Sequence, residues 1–473
     1  MLTRIAILIL LSVATANAAA SGSQIAWSPV TFVSDRGERT PAERGVLKVP
    51  ARHAHAGGPK YALVMIRFKS TSEHPGPPIV YLAGGPGGSG IAAAKGPRFR
   101  LFQKLRADAD VIALDQRGTG ASSKPPVCAF ERPLEGDTKW TEAAVQAFLK
   151  HEAAHCRRFW AQRHVDLGSF NTWESAADLD DLRRALGVDK IALWGISYGT
   201  HLALAALKSH PDSFSRAVLV SSEDLDQTLK LPARSERYFR RLAAFTGTPD
   251  LVPRLHRLLD RLDRRPRRVT VADPRTKHAT RLWFTGYDLR LLLSFFYVAD
   301  PARARTLPAR IKAMEGGDFA RVAGELLRLR GLYGGFRGMP EAMDLASWTS
   351  PERLALVKKQ ARSAIIGDAL NFPLPLLDPG DLGLTPLPPS YRVAFASSTP
   401  VLLFSGTLDG RTFPEAHRET ASQFEHATLV KVVNAGHNLM MPSPQVQTRI
   451  VQFLGGAAVA GTPIVVAASA GPH

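Results

Sequence analysis

Short apolar runs alternate with stretches of helical period through the first half of the chain, and the alternation returns near the C-terminus. Pro78-Ile79-Val80-Tyr81-Leu82, Asp110-Val111-Ile112-Ala113-Leu114, Lys190-Ile191-Ala192-Leu193-Trp194 and Ala217-Val218-Leu219-Val220 each read as a buried strand. Pro400-Val401-Leu402-Leu403-Phe404 and Ala427-Thr428-Leu429-Val430-Lys431-Val432-Val433 read the same way. The segment 25–61 is strand-rich, and 61–68 alternates apolar with polar positions. Strands interleaved with helices predict an α/β fold with a mostly parallel central sheet and helices on both faces. From 225 to 390 the period turns helical and the strand signature vanishes, as in 253–262 and 319–332. That stretch predicts a helical cap inserted into the core. The Pro-rich run 372–389 reads as the linker back, and the Gly/Ala-rich tail 458–473 as poorly ordered. No internal repeat is visible.

The ends of these strands carry the chemistry. Gly195-Ile196-Ser197-Tyr198-Gly199 is a G-x-S-x-G pentapeptide between a strand ending at Trp194 and the helical run Thr200 to Leu207. A serine at the apex of such a turn is forced into strained backbone angles, which only small neighbours two positions away tolerate. Its hydroxyl is pushed outward, and the first amides of the next helix face the same space. Asp409 ends one later strand and His437 another, giving the chain order serine, acid, histidine. Ser197 is therefore the candidate nucleophile, His437 the base and Asp409 the group that orients the imidazole. Glu223 and Asp224, after the strand ending at Val220, compete with Asp409 for the acid role. Asp409 is preferred because it ends the strand nearest the histidine. The loop Ala83-Gly84-Gly85-Pro86-Gly87-Gly88-Ser89-Gly90 offers bare backbone amides. Gly85 and Tyr198 are the candidate oxyanion donors. No G-x-x-x-x-G-K-[ST] is present, so phosphate cradling is not expected.

His151-Glu152-Ala153-Ala154-His155 supports a competing reading. On a helix spanning 141–163 it is an H-E-x-x-H motif, whose two histidines can bind zinc while the glutamate activates water, with Glu174 as a third ligand. The plainer alternative is a solvated helix with incidental histidines.

Composition narrows these choices little. A chain of 473 residues can bury a large core, and 45% hydrophobic with 22% charged residues is ordinary for a globular protein. Arg4, the apolar run Ile5 to Val13 and Ala16-Asn17-Ala18 form a secretory signal pattern with cleavage expected after Ala18; the run is too short to span a bilayer. An exported chain meets an oxidising medium, so Cys128 and Cys156, its only cysteines, are either bridged or two buried thiols. A bridge would contribute roughly 3–4 kcal/mol on the chain-entropy account. The net charge of +18 owes much to Arg254, Arg257, Arg261, Arg264, Arg265, Arg267 and Arg268 in the cap. No nucleic-acid motif accompanies them, so weak, salt-dependent attraction to acidic surfaces is the expectation.

Gly84-Gly85-Pro86-Gly87-Gly88, Asp115-Gln116-Arg117-Gly118-Thr119-Gly120, Asp178-Leu179-Asp180-Asp181-Leu182-Arg183, the serine pentapeptide, Gly406 to Asp409 and Gly436-His437 together resemble the α/β-hydrolase family of prolyl iminopeptidases. The resemblance is closer still to its secreted tripeptidyl aminopeptidase-like branch. It departs at Ala83, where the family usually has histidine, and at Gly410-Arg411-Thr412-Phe413, where it often has Pro-Val-Thr-Pro. The resemblance implies an α/β-hydrolase fold, and the patterns along the chain divide it as 1–18 leader, 19–224 core, 225–390 cap, 391–457 core and 458–473 tail. It also implies an exported, periplasmic or secreted, serine aminopeptidase that forms an acyl-enzyme and needs no cofactor. It favours the Cys128–Cys156 disulfide and assigns Asp115 and Arg117 to the scaffold. Carboxylates near the cap hold the substrate's free amine in that family, and Glu223 and Asp224 are the possible counterparts. An esterase or amidase on small substrates with the same triad is the alternative, and a non-catalytic polyanion-binding protein a further one.

Overall fold

The computed structural model describes residues 24–132, 137–273 and 276–467. The leader expected at 1–18 lies outside them. Ten strands form one sheet: β1 (Ala26–Val33), β2 (Arg39–Pro50), β3 (Lys60–Phe68), β4 (Gly76–Leu82), β5 (Ala109–Asp115), β6 (Ile191–Ile196), β7 (Phe214–Val220), β8 (Val401–Gly406), β9 (Ala427–Val433) and β10 (Ile464–Val465). Their spatial order is β1-β2-β3-β5-β4-β6-β7-β8-β9-β10. The first three strands are antiparallel lead-in, and every pairing from β5 onward through β10 is parallel. Alternate side chains of one strand serve opposite cores. Val80, Leu82, Leu193 and Leu403 pack on one face, Ile79, Tyr81, Trp194 and Phe404 on the other. Burial on both faces explains why these strands read as continuous apolar runs.

The region between β7 and β8 builds its own core around Tyr238, Leu242, Leu255, Leu258, Leu289 and Leu326. Helices Ala233–Thr246, Leu251–Arg264, Leu307–Glu315 and Ala320–Leu332 carry the apolar stripes that the periodicity predicts. The same region also contains strands, against the expectation. Arg267–Ala272 and Ala279–Phe284 pair antiparallel, with Leu282 and Phe284 buried. Arginine and threonine at their exposed positions hide the period of two. The Pro-rich run is not a free linker either. It coils through short 3-10 turns, and Leu374, Leu376, Leu377, Leu382 and Leu384 sink into the main core. Within the tail, Ile464 is buried and β10 extends the sheet, so this part of the expected loose tail is anchored. Cys128 and Cys156 form a disulfide that fastens the segment around Cys128 to the helix Glu142–Ala161.

Candidate active site

Ser197 occupies the turn between β6 and the helix Tyr198–Ser209, at φ 54° and ψ −128°. That conformation is strained for a residue with a side chain and survives because the surroundings hold it. Its N–H bonds to Val220 O at 3.0 Å, and its carbonyl accepts from Thr200 N at 2.7 Å and Thr200 Oγ1 at 2.6 Å. Gly199 makes the turn possible by close approach: a Cβ there would stand 2.1 Å from Leu82 O. The glycine loop after β4 lies alongside, since a Cβ on Gly84 would come within 3.0 Å of Ser197 Cβ. Gly85 follows at φ 131°. Tyr198 opens its helix, so its N–H has no partner within the helix.

Asp409 and His437 meet. His437 Nδ1 stands 3.0 Å from Asp409 Oδ2, and the carboxylate is fully buried. Burial alone would raise the Asp409 pKa. The charge and hydrogen bond of His437, with bonds from the Thr412 backbone, prevail and hold it well below the usual carboxylate range. The amides of Arg411 and Thr412 each donate to Oδ1 at 2.9 Å, and Thr412 Oγ1 donates to Oδ2 at 2.9 Å. Behind Thr412, His417 Nε2 lies 3.1 Å from its hydroxyl while Nδ1 meets Ser405 Oγ at 2.7 Å. Burial pushes His417 down to about 4, so it is a neutral relay in this network. Thr412 stood in the sequence only as part of Gly410-Arg411-Thr412-Phe413, with no role attached, and His417 sits in no motif.

Glu223 is buried, its amide bonded to Thr200 Oγ1 at 2.8 Å, and its carboxylate meets Lys230 Nζ at 2.8 Å. Asp224 takes another direction: its oxygens accept from Leu225 N at 2.6 Å and from Gln423 Nε2. The structure therefore ties Asp224 into the scaffold and brings neither residue to His437 in place of Asp409. A carboxylate that sequence reading missed joins Glu223. Asp344 lies on the helix Met339–Ser347, whose Pro340 packs over Gly87 and whose Met343 sulfur accepts from Tyr198 Oη at 3.1 Å. Burial first, then the neighbouring charge of Glu223, pushes Asp344 up to about 8. The only signal available was one aspartate on an amphipathic helix of a long helical region.

Arg117 is fully buried and grips Asp178 through Nε and Nη2 at 2.7 and 2.6 Å, while also donating to Ala51 O and Ser169 O. Asp115 accepts from Ser89 Oγ, Ile91 N and Ala121 N. Both tie loops together. The zinc set is not assembled. His151 and His155 turn to Glu131, at 3.3 and 2.9 Å, and Glu152 is buried with Oε2 on the Glu131 amide. Glu174 bonds His53 instead. Among the described residues, the groups with ligand atoms within 4.8 Å of one another are His53 with Asp178 and Asp181, and His155 with the two bridged cysteines.

A strained serine turn, a buried Asp–His pair and a glycine loop at the end of a parallel sheet define the class. The chain belongs to the alpha/beta hydrolase fold family, which matches residues 77–444. It is similar to the serine protease Hip1 of Mycobacterium tuberculosis, 33% identical over 189 residues, covering 38% of this chain and 36% of that protein. It is also similar to the tripeptidyl aminopeptidase of Streptomyces coelicolor, 29% identical over 220 residues, covering 44% and 40% of the two chains. The proline iminopeptidase of Xanthomonas citri is 30% identical over 168 residues, 36% of each. The match thus spans little more than a third of the length of these curated relatives. Among the described residues, no helix is long and apolar enough to cross a membrane.

Proposed function

We propose that the chain is an exported serine hydrolase that releases N-terminal residues or short peptides through an acyl-enzyme. The observation that carries this reading is the 3.0 Å contact of His437 Nδ1 with buried Asp409, in a chain whose Ser197 has the strained angles of a nucleophile turn. Ser197 Oγ attacks the scissile carbonyl, and its proton passes to His437 Nε2. The oxyanion is received by the amides of Gly85 and Tyr198. Collapse of the tetrahedral adduct expels the leaving amine, which takes the proton from His437. Water then enters, gives a proton to His437 and attacks the acyl carbon, and the proton returns to Ser197 as the acid is released. Glu223 offers a negative charge, and Asp344 a buried carboxyl that a bound ammonium would ionise, for a substrate's free amine, which favours an exopeptidase over an esterase. The disulfide supports export.

A fluorophosphonate probe should label wild-type protein and not Ser197→Ala. Free-amine peptide amides should be hydrolysed well, and N-blocked ones poorly. Equal rates for free and blocked substrates, or faster p-nitrophenyl ester turnover alone, would replace the aminopeptidase with the esterase reading.

A further inference from the structure

The loops carrying Asp409 and His437 are gripped from outside the sheet by one short piece of the cap. From the last residue of the π-helical turn Leu293–Tyr297 onward, three consecutive carbonyls accept three bonds from different parts of the molecule. Tyr297 O accepts from Tyr238 Oη at 2.6 Å, Val298 O from Gly410 N at 2.8 Å and Ala299 O from His437 N at 2.8 Å. Two of the three donors are the residue after the acid and the histidine itself. Glycine is required on both loops for this approach. A Cβ on Gly410 would lie 2.8 Å from Val298 Cβ, and one on Gly436 would lie 2.4 Å from both Ala299 O and Pro301 Cδ. On its other side His437 is tied to the sheet, with Ser221 Oγ donating to its carbonyl at 2.9 Å. The two loops are also joined to each other by Leu408 N and Ala435 O at 2.9 Å.

We infer that Tyr297-Val298-Ala299 is a positioning clamp, through which the cap fixes the backbone of both the acid and the base of the proposed triad. This rests on the triad reading above. The peptide on one side of the imidazole is held by the cap and on the other by the core, so its position depends on how the cap is seated. Misplacement of a reacting group by about 1 Å costs on the order of a hundredfold in rate. A covering that merely shields the site would not need main-chain bonds to these two loops. Tyr297, Val298 and Ala299 are positioning residues, since they act through Asp409 and His437.

The test is Gly436→Ala, which pushes Ala299 and Pro301 away without altering a side chain of the triad. Expected are a fall in kcat of about tenfold or more with KM changed by less than about twofold, slower fluorophosphonate labelling, and a displaced proton resonance for His437 Nδ1–H. Adding Pro301→Gly relieves the ring contact and should recover part of each loss. Should Gly436→Ala fail to fold, Tyr238→Phe removes only the bond to Tyr297 O and should give a smaller shift of the same resonance. A folded Gly436→Ala protein with wild-type labelling and an unmoved His437 resonance would overturn the clamp. Wild-type protein that never labels at Ser197 would instead overturn the triad reading, while the resonance still reports on the clamp.

Discussion

His437 Nδ1 lies 3.0 Å from Asp409 Oδ2, and the carboxylate has no exposure to solvent. Its acidity is the consequence. Burial works upward, the imidazole and the Thr412 backbone bonds work downward, and the downward effects prevail. Asp409 therefore stays ionised at any working pH and can fix the tautomer with Nδ1 protonated and Nε2 free. Asp409→Asn should keep the fold and lower kcat roughly 10³–10⁴-fold, because an amide no longer enforces that tautomer. Single-turnover labelling beside a circular dichroism spectrum checks it. A loss under tenfold would mean that another group orients the histidine.

Thr412 couples this pair to a second buried histidine. Its hydroxyl donates to Asp409 Oδ2 and receives from His417 Nε2, whose other nitrogen meets Ser405. Thr412→Val leaves the His417 N–H unsatisfied in the core and removes one donor from Asp409. Stability should fall by about 1–3 kcal/mol in denaturant titration. The kcat should fall about tenfold, the equivalent of one modest hydrogen bond in the transition state. Thr412→Ser restores the hydroxyl and should recover most of both, which would separate the bond from the lost methyl.

The sheet was legible because its strands are buried on both faces, so Ile191 to Trp194 or Val401 to Phe404 need no alternation to be recognised. Ser197, Asp409 and His437, the residues proposed for the triad, could be singled out because each follows such a strand, and the family's chain order restricts the choice. The hairpin Arg267–Ala272 with Ala279–Phe284 was lost, since only one face is buried and arginines occupy the other. Asp344 was lost for a different reason. A single carboxylate on an amphipathic helix takes its meaning from Glu223, 121 positions away, whose charge acts on it only in the folded chain. Glu223 and Asp224, paired in the sequence by adjacency, part in the fold: Glu223 meets Lys230, whereas Asp224 bonds Leu225 N and Gln423. Glu174 was drawn to the wrong histidines because spacing along the chain cannot reveal His53.

His53 binds protons more tightly in the folded state. Its Nδ1 is 2.5 Å from Glu174, and Nε2 is 3.0 Å from Asp181 and 3.6 Å from Asp178, with Arg117 at 4.0 Å from Glu174. Burial lowers its pKa, but the bonds it donates to Asp181 and Glu174 and the charges around it raise it from 6.5 to about 9. Stability from this cluster is then fully present below 6.5 and is lost as pH rises through about 9. Thermal melts from pH 6 to pH 10 should show wild-type protein losing on the order of 1–2 kcal/mol more than His53→Gln, after discounting for partial exposure. Parallel melting curves would mean that the imidazole is neutral throughout.

Asp344 has the opposite linkage. Its carboxyl is raised from 3.8 to about 8, by burial first and then by Glu223, and the charges of Lys230 and Arg411 offset this only in part. The folded state thus holds a proton that the unfolded chain releases near 3.8, and stability declines as pH climbs from there toward 8. Asp344→Asn removes that penalty and should stabilise the protein by on the order of 1–2 kcal/mol at pH 8, with little effect at pH 3.5. The same change removes a carboxyl that a substrate ammonium would ionise, so KM for free-amine peptides should rise about tenfold while N-blocked substrates are unaffected. A residue that weakens the fold and strengthens binding of one substrate class belongs to function. If the variant is stabilised and free-amine KM stays at the wild-type value, Asp344 is no part of the amine subsite, and Glu223 carries that role with Lys230 as its counter-ion.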